Sequence, residues 1–240
     1  MTIRADLHIH SCLSPCGDLA MAPRTIAARA AERGLDLIAL TDHNTARNVP
    51  AFAAACREAG IAALYGTEVT TSEEVHALAL FGDPETAVRF GDEVYETLPR
   101  EERDPERFGD QVVVDEVESI VDTLTSYLIG ASAFTLTGLG RRVHELGGLF
   151  VPAHIDRSAF SVWSQLGFLP PDDYDAVEIT GAAGRIDSGG YPRICSSDAH
   201  QPSRIGARSI SFSGDRPGFD ALASALRANA VSLSLHAGDE

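Results

Sequence analysis

Ile3-Arg4-Ala5-Asp6-Leu7-His8-Ile9-His10, at the start of the chain, reads as a strand. Side chains two apart on a strand leave the same face, so His8 and His10 project together with Ile9 opposite. That is a ligand geometry, and it is equally the geometry of two hydrogen-bonded histidines in a polar core. Moving outward, residues 23–33 read as a helix, with Pro23 in the first turn, Ile26, Ala27, Ala30 and Ala31 at helical spacing, and Gly34 as a stop. Residues 35–41 form an apolar strand, 50–59 a helix closed by Gly60, and 61–69 and 74–81 two further strands. This alternation is the pattern of βα units around a parallel sheet or barrel.

The rhythm breaks in a charged stretch with helix-interrupting steps at Leu98-Pro99 and Asp104-Pro105. It is expected to be an insertion at about 83–122, in which 111–114 and 119–121 can pair as a short hairpin; a surface lid without fixed structure is the alternative. The alternation resumes with a helix at 136–146, stopped by Gly147-Gly148, and a strand at 149–154. Strands at 176–180, 194–197 and 208–212, a helix at 219–228 and a last stretch at 231–235 follow. With 240 residues and 44% hydrophobic content, one domain over 1–240 is expected.

All 19 basic residues are arginine. The absence of lysine excludes a Schiff-base lysine, a P-loop lysine and a carbamylated lysine bridging two metals. A formal net charge of -16 opposes non-specific binding to long nucleic acid, although a cluster of cations in one cleft can reverse the sign locally. No apolar run is long enough to span a bilayer, and no secretory leader pattern is present, so no membrane partner is expected. Cys12, Cys16, Cys56 and Cys195 are too scattered for a disulfide framework; they read as buried small residues in a reducing, cytoplasmic setting.

Thr41-Asp42-His43 ends the second strand, Glu68 ends the third, His76 begins the fourth, and His154 ends the strand at 149–154. Asp198 and His200 follow the strand at 194–197. Of the 8 histidines, all but His144 and His236 thus lie at or beside strand ends, where the loops of a βα barrel build a site. Each carboxylate also has an ordinary use: Asp42 capping a helix, Asp198 stabilising a turn, Asp18 in a loop beside Gly17. Asp42 reads best as a residue that orients its neighbours, with His43 the better placed ligand. Asp198 with His200 reads as a ligand pair. Cys12 and Cys16 suggest a thiolate pair, but the surrounding histidine and carboxylate set is harder and sufficient without them.

Taken in order, Asp6-Leu7-His8-Ile9-His10-Ser11, Thr41-Asp42-His43-Asn44, Gly66-Thr67-Glu68-Val69, His76, Pro152-Ala153-His154 and Ser197-Asp198-Ala199-His200 resemble the PHP (polymerase and histidinol phosphatase) family of metal-dependent phosphoesterases. The resemblance spans nearly the whole chain. It implies an α/β fold, a distorted seven-stranded (β/α) barrel with an inserted segment, and two or three divalent ions, zinc, manganese or iron, at the strand C-termini. By the same resemblance, His8, His10, Glu68 and Asp198 surround one metal, and Glu68 bridges to a second held also by His76 and His154. Asp18, His43 and His200 complete a third, and Glu68, His43 and Asp198 are catalytic through a metal-bound water.

A small phosphorylated substrate, a phosphomonoester or a nucleotide, suits that ligand set. Three dications outweigh the carboxylates of Asp18, Glu68 and Asp198, and the surplus holds a phosphate inside an acidic protein. A metal-activated water is expected to attack phosphorus. Arg157 and Arg204, close after His154 and His200, are candidates to clamp phosphate oxygens, or are simply solvated surface residues. One alternative is a metal-dependent amidohydrolase, disfavoured by the lack of a bridging lysine but kept open by Glu68. An exonuclease-like phosphodiesterase on short nucleic-acid ends is another, although no basic stripe with interleaved aromatics supports it. A non-enzymatic metal-binding module using the acidic insertion as its partner surface is a third.

Overall fold

In chain order the first elements are β1 (Thr2–Ile9), α1 (Pro23–Glu32), β2 (Leu37–Leu40), α2 (Val49–Ala59), β3 (Ala62–Thr70), β4 (His76–Phe81) and α3 (Pro84–Tyr95). A hairpin of β5 (Val112–Val114) and β6 (Ile120–Thr123) follows, then α4 (Leu136–Glu145), β7 (Leu149–Pro152), α5 (Val162–Leu166), β8 (Val177–Glu178) and β9 (Arg193–Ile194). The 3-10 turn Pro202–Arg204, β10 (Arg208–Ser213), α6 (Phe219–Arg227) and β11 (Val231–Leu235) complete the fold. This computed structural model describes residues 1–100, 104, 109–181 and 186–235; His236, set aside above, lies outside them, as do 101–103 and 105–108 of the charged stretch. Among the described residues no helix is long and apolar enough to cross a membrane.

The main sheet has the order β11-β10-β1-β2-β3-β4-β7. Its centre, β1-β2-β3, is parallel as the βα rhythm suggests, but β4 runs antiparallel to both β3 and β7, and β10 antiparallel to β1. The reason is the length of the connection. Only residues 71–75 separate β3 from β4, far short of a parallel crossover, and Thr71 N donates to Val75 O at 2.9 Å to make a hairpin instead.

Beyond β7 the wall is continued by single hydrogen bonds more than by ladders. Asp175 N donates to Phe150 O (3.0 Å), Ile155 N to Glu178 O (2.8 Å), Ile179 N to Ile194 O (2.9 Å), and His10 N to Ala199 O (3.0 Å), which returns the chain to β1. Strands β1, β2, β3, β4, β7, β8 and β9 thus make the expected distorted seven-stranded barrel, with β10 and β11 appended to the lower half of β1. The closing strands are shorter than the sequence suggests, because β8 and β9 keep only two paired residues each and the chain turns at Asp198, φ 50°.

Two apolar layers hold the barrel. Inside lie Ile3, Ala5, Leu7, Leu37, Leu64, Leu78 and Val151, closed off by Leu222 and Leu226 of α6. Outside, Ile26, Phe52, Phe90 and Leu139 of α1 to α4 pack against Ile38, Leu40 and Phe150 of the strands. The presence of Phe90 there corrects one expectation. Residues 84–95 do not depart from the rhythm: Asp83 caps α3 by accepting from Thr86 N (2.8 Å), and the helix buries Ala87, Phe90 and Val94 in the same layer as α1 and α2. Its charges occupy the solvent face of an amphipathic helix, which composition alone does not separate from a charged loop. The expected hairpin is present as β5 and β6, with Leu13, Leu98, Val113, Leu124 and Leu128 in a satellite cluster beneath it.

Gly66, two residues before Glu68, lies so close to β4 that a Cβ would stand 2.0 Å from the Ala79 carbonyl oxygen, a backbone atom fixed in the ladder. Gly66→Ala is expected to cost about 3 kcal/mol of stability, the upper end of overpacking penalties. Gly60→Ala, at a left-handed helix cap (φ 71°) with open space around it, should cost only about 1 kcal/mol. Urea unfolding of the two variants side by side checks the packing account, which fails if Gly66→Ala is no less stable than Gly60→Ala.

Candidate metal centre

The topology gathers the histidines at one end. The parallel strands β1, β2 and β3 end there, β4 begins there because it is antiparallel (Thr70 pairs with His76), and β7 ends there again. Within β1 the register shifts between Asp6 and Ile9. Below the shift Leu7 faces the inner core; above it Ile9 packs outside with the helices, leaving His8 and His10 to face the barrel mouth. A bulge of this kind re-aims side chains that strict alternation would send the other way.

His8 Nε2 and His10 Nε2 lie 3.1 Å apart. Each is 3.3 Å from Glu68 Oε2, and they are 3.3 and 3.2 Å from Asp198 Oδ1. With the two nitrogens, either oxygen makes a triangle whose edges leave a point about 2.0 Å from all three corners, the distance at which imidazole and carboxylate bind a zinc-like dication. The other oxygen of Glu68, Oε1, is 2.9 Å from both His76 Nδ1 and His154 Nε2, while His43 Nδ1 stands 3.1 Å from Oε2. Ring nitrogens of His10, His43 and His200 form a further group, all within 4.8 Å of one another. Asp198 Oδ1 and His43 Nδ1 are buried yet make no hydrogen bond among the described residues. Buried polar atoms seldom go unpaired, and cations at these convergence points would satisfy them.

The charges are strongly coupled. Burial pulls the pKa of His8 and His10 down, but carboxylates outweigh it: Glu178, Asp198 and Glu68 hold His8 well above the ordinary imidazole range, and Asp198 and Glu68 raise His10 to about 9. Burial likewise pushes Glu68 and Asp198 upward, and the surrounding histidines, His76, His8 and His43 for Glu68, His8 and His10 for Asp198, hold both well below the carboxylate range. His43 and His200 go the other way: burial, with the neighbouring His10, brings His200 to about 4 and His43 well below its usual value.

A supporting layer fixes which nitrogen faces inward. Glu178, on β8 and buried, accepts from His8 Nδ1 and from the His154 backbone N–H, both at 3.0 Å. Sequence reading missed this residue; its one signal was a carboxylate inside an apolar strand, a position that demands a partner. Asp42 takes the orienting place expected of it, accepting from Ser11 N and Ser14 Oγ (2.7 Å each) and from Ser11 Oγ (2.6 Å). Ser14, having given its proton to Asp42, accepts from His10 Nδ1 at 2.9 Å. Both histidines therefore turn Nε2 toward Glu68 and Asp198, as outer partners of metal-binding imidazoles do.

Eight of the expected ligands, His8, His10, His43, Glu68, His76, His154, Asp198 and His200, come together. Asp18 stands apart: its backbone N–H reaches His200 O (2.8 Å), but its exposed carboxylate accepts from Ala20 N (2.8 Å) in a turn. Arg157 is at the site, its guanidinium paired with Asp198. Arg204 is exposed on the 3-10 turn that packs along α1, where Arg33 bonds the Ser203 carbonyl (3.1 Å). Cys12 is buried, its thiol pushed up to about 12 by burial, and it packs in a small apolar cluster with Ala51, Val112 and Val114.

Because His8 and His10 hold protons near pH 7 in the metal-free protein and a ligand must be neutral, metal uptake at that corner should release protons and tighten as pH rises from 7 toward 9. Calorimetric titrations in buffers of different ionisation enthalpy count those protons; uptake indifferent to pH would contradict the coupling. Glu178→Gln, which keeps shape but removes the charge opposite His8, should weaken metal binding by about 10–100-fold with an unchanged circular dichroism spectrum. An unaltered affinity would leave Glu178 without an orienting role.

A profile of the PHP domain matches residues 6–134 of the chain. The chain is 33% identical over 82 residues to a 5'-3' exoribonuclease of Haemophilus influenzae, covering 34% of this chain and 29% of that one. It is 42% identical over 82 residues to a 3',5'-nucleoside bisphosphate phosphatase of Chromobacterium violaceum, covering 33% and 28%. These matches therefore span about a third of this chain and less than a third of either relative. In structure it resembles a lesion-specific endonuclease of Pyrococcus furiosus, with a TM-score of 0.70 and 20% identity over 97% of this chain and 58% of that one, a likeness of fold. With more than half of its length under the family profile and the barrel in place, the chain belongs to the PHP domain family.

Proposed function

We propose that the protein is a metal-dependent phosphoesterase that hydrolyses a small phosphorylated substrate, a phosphomonoester or a nucleotide. The observation that carries this reading is the convergence of eight buried or half-buried histidines and carboxylates, Glu68 among them, with Arg157 paired to Asp198 at their edge. Two or three divalent ions are supported by the ligand groups, and mixed nitrogen and oxygen donors suit zinc, manganese or iron alike. When bound, such ions supply positive charge for a phosphate and lower the pKa of water from ~15.7 toward about 7.

The chain's own residues have separable tasks. Glu68 and Asp198, held ionised, fix the positions of their neighbours and do not exchange protons near neutrality. His43, held neutral, offers a lone pair at no proton cost. Arg157, with its side chain 41% exposed and its head on Asp198, is poised to turn from that carboxylate to a phosphate oxygen. Arg204 sits exposed on the 3-10 turn along α1, so the phosphate contact is assigned to Arg157. A second reading, a phosphodiesterase acting on short nucleic-acid ends, is favoured by the likeness to an exoribonuclease and keeps nucleic acid among the partners to be tested.

Phosphomonoesters, nucleotides, oligonucleotides and an amide, each offered with zinc, manganese or iron, discriminate these readings. Turnover confined to monoesters and nucleotides is expected, and fewer than two ions per chain would overturn the cluster. Arg157→Ala should raise KM for a phosphomonoester by about 10-fold or more at unchanged metal content. Unchanged kinetics would remove Arg157 from the site.

A further inference from the structure

Beyond His154, the loop between β7 and α5 brings two further side chains against the cluster. Arg157 stands on Asp198 at one end, and Phe160 at the other lies flat on His76, ring centroids 4.8 Å apart and planes 16° from parallel. His76 in turn touches Glu68, so Phe160 lies directly on a member of the cluster. Phe160 is 37% exposed although its ring is stacked on His76.

Three features show that this placement is built in. Asp156 fastens the start of the loop by accepting from Thr180 N (2.8 Å) and Gly181 N (2.7 Å). Ser161 Oγ ties the far end to Arg157 O (2.7 Å) while Ser161 also caps α5, and His76 N donates to Phe160 O (2.9 Å). Phe160 has φ 53°, a conformation that bulky side chains rarely adopt and that glycine or asparagine would hold more easily. An aromatic ring kept there against backbone preference, beside a cleft for phosphate, is suited to stacking.

We propose that the outer face of Phe160 is a platform for a planar ring carried by the phosphoester, a nucleobase or a comparable aromatic group, and that Phe160 thereby sets substrate preference. The inference rests on the phosphoesterase reading and deepens it: Arg157 addresses the phosphate, and Phe160 addresses what the phosphate is attached to. Phe160 is a specificity residue and takes no part in bond cleavage.

Adenosine monophosphate and ribose 5-phosphate differ by the base alone and so isolate the platform. The metal-loaded protein is expected to favour the first by about 10-fold in kcat/KM, and adenosine should compete with ribose 5-phosphate turnover where ribose does not. Phe160→Leu keeps an apolar cover on His76 but no π-face; it should erase the preference while leaving ribose 5-phosphate turnover and metal content at the level of the unsubstituted protein, and Phe160→Tyr should retain it. A protein that treats the two esters alike overturns the inference and leaves the phosphoesterase reading standing. Equal losses on both esters in Phe160→Leu also overturn it, reducing Phe160 to a cover for His76. Inactivity on both esters overturns the inference, and inactivity on every phosphoester overturns the reading beneath it.

Discussion

Glu68 is the residue on which the site depends. A carboxylate buried without compensation is costly enough that it would take up a proton instead. Here histidines contact both oxygens: His8, His10 and His43 lie around Oε2, and His76 and His154 beside Oε1. That arrangement is possible only because β4 doubles back on β3. A parallel fourth strand would end, and not begin, at the barrel mouth, and His76 would start at the far end. The short connection between β3 and β4 is thus a functional requirement as well as a topological accident.

The same reasoning explains which parts of the site were legible in the sequence. His8, His10, His43, His154, Asp198 and His200 sit at strand ends, and strand ends are visible from apolar runs bounded by turn residues. Glu178 was not, because its strand is two residues long and its function is expressed only through His8 and the His154 amide. Asp18 is expected from the family resemblance and Arg204 from its closeness in sequence to His200, and neither fixes the direction of a side chain: Asp18 turns to the Ala20 amide. The inclusion of residues 84–95 in the charged stretch has a different cause. Charge density marks a solvated surface, and an amphipathic helix on the barrel has one.

An acidic chain that collects histidines and carboxylates also settles its electrostatics locally. The net charge of -16 counts every carboxylate of the chain, but Glu68, Asp198 and Glu178 are buried among imidazoles that hold them ionised. Paired in this way, the cluster is a set of coupled protons that incoming cations can replace at convergence points already laid out. Asp42 and Ser14 serve the same end from outside, since their hydrogen bonds hold His10 in the orientation that points Nε2 inward.

Two residues of the cluster, His154 at φ 30° and Asp198 at φ 50°, have backbone conformations that non-glycine residues seldom hold. Neither would persist without support. For His154 the support is Glu178, which accepts from its backbone N–H while holding His8, so one carboxylate fixes two histidines of the cluster, one on β1 and one just past β7. For Asp198 it is Arg208 on β10, whose guanidinium donates to Ser196 O (2.9 Å), Ser197 O (3.1 Å) and Thr180 O (3.0 Å), binding the ends of β8 and β9 together just before the turn. The ammonium of a lysine is a compact point charge and could not span three carbonyls in this way; the planar fork of arginine can. The weakest part of the barrel wall, the pair of two-residue strands that closes it, is therefore reinforced where the site needs an unfavourable backbone to be kept.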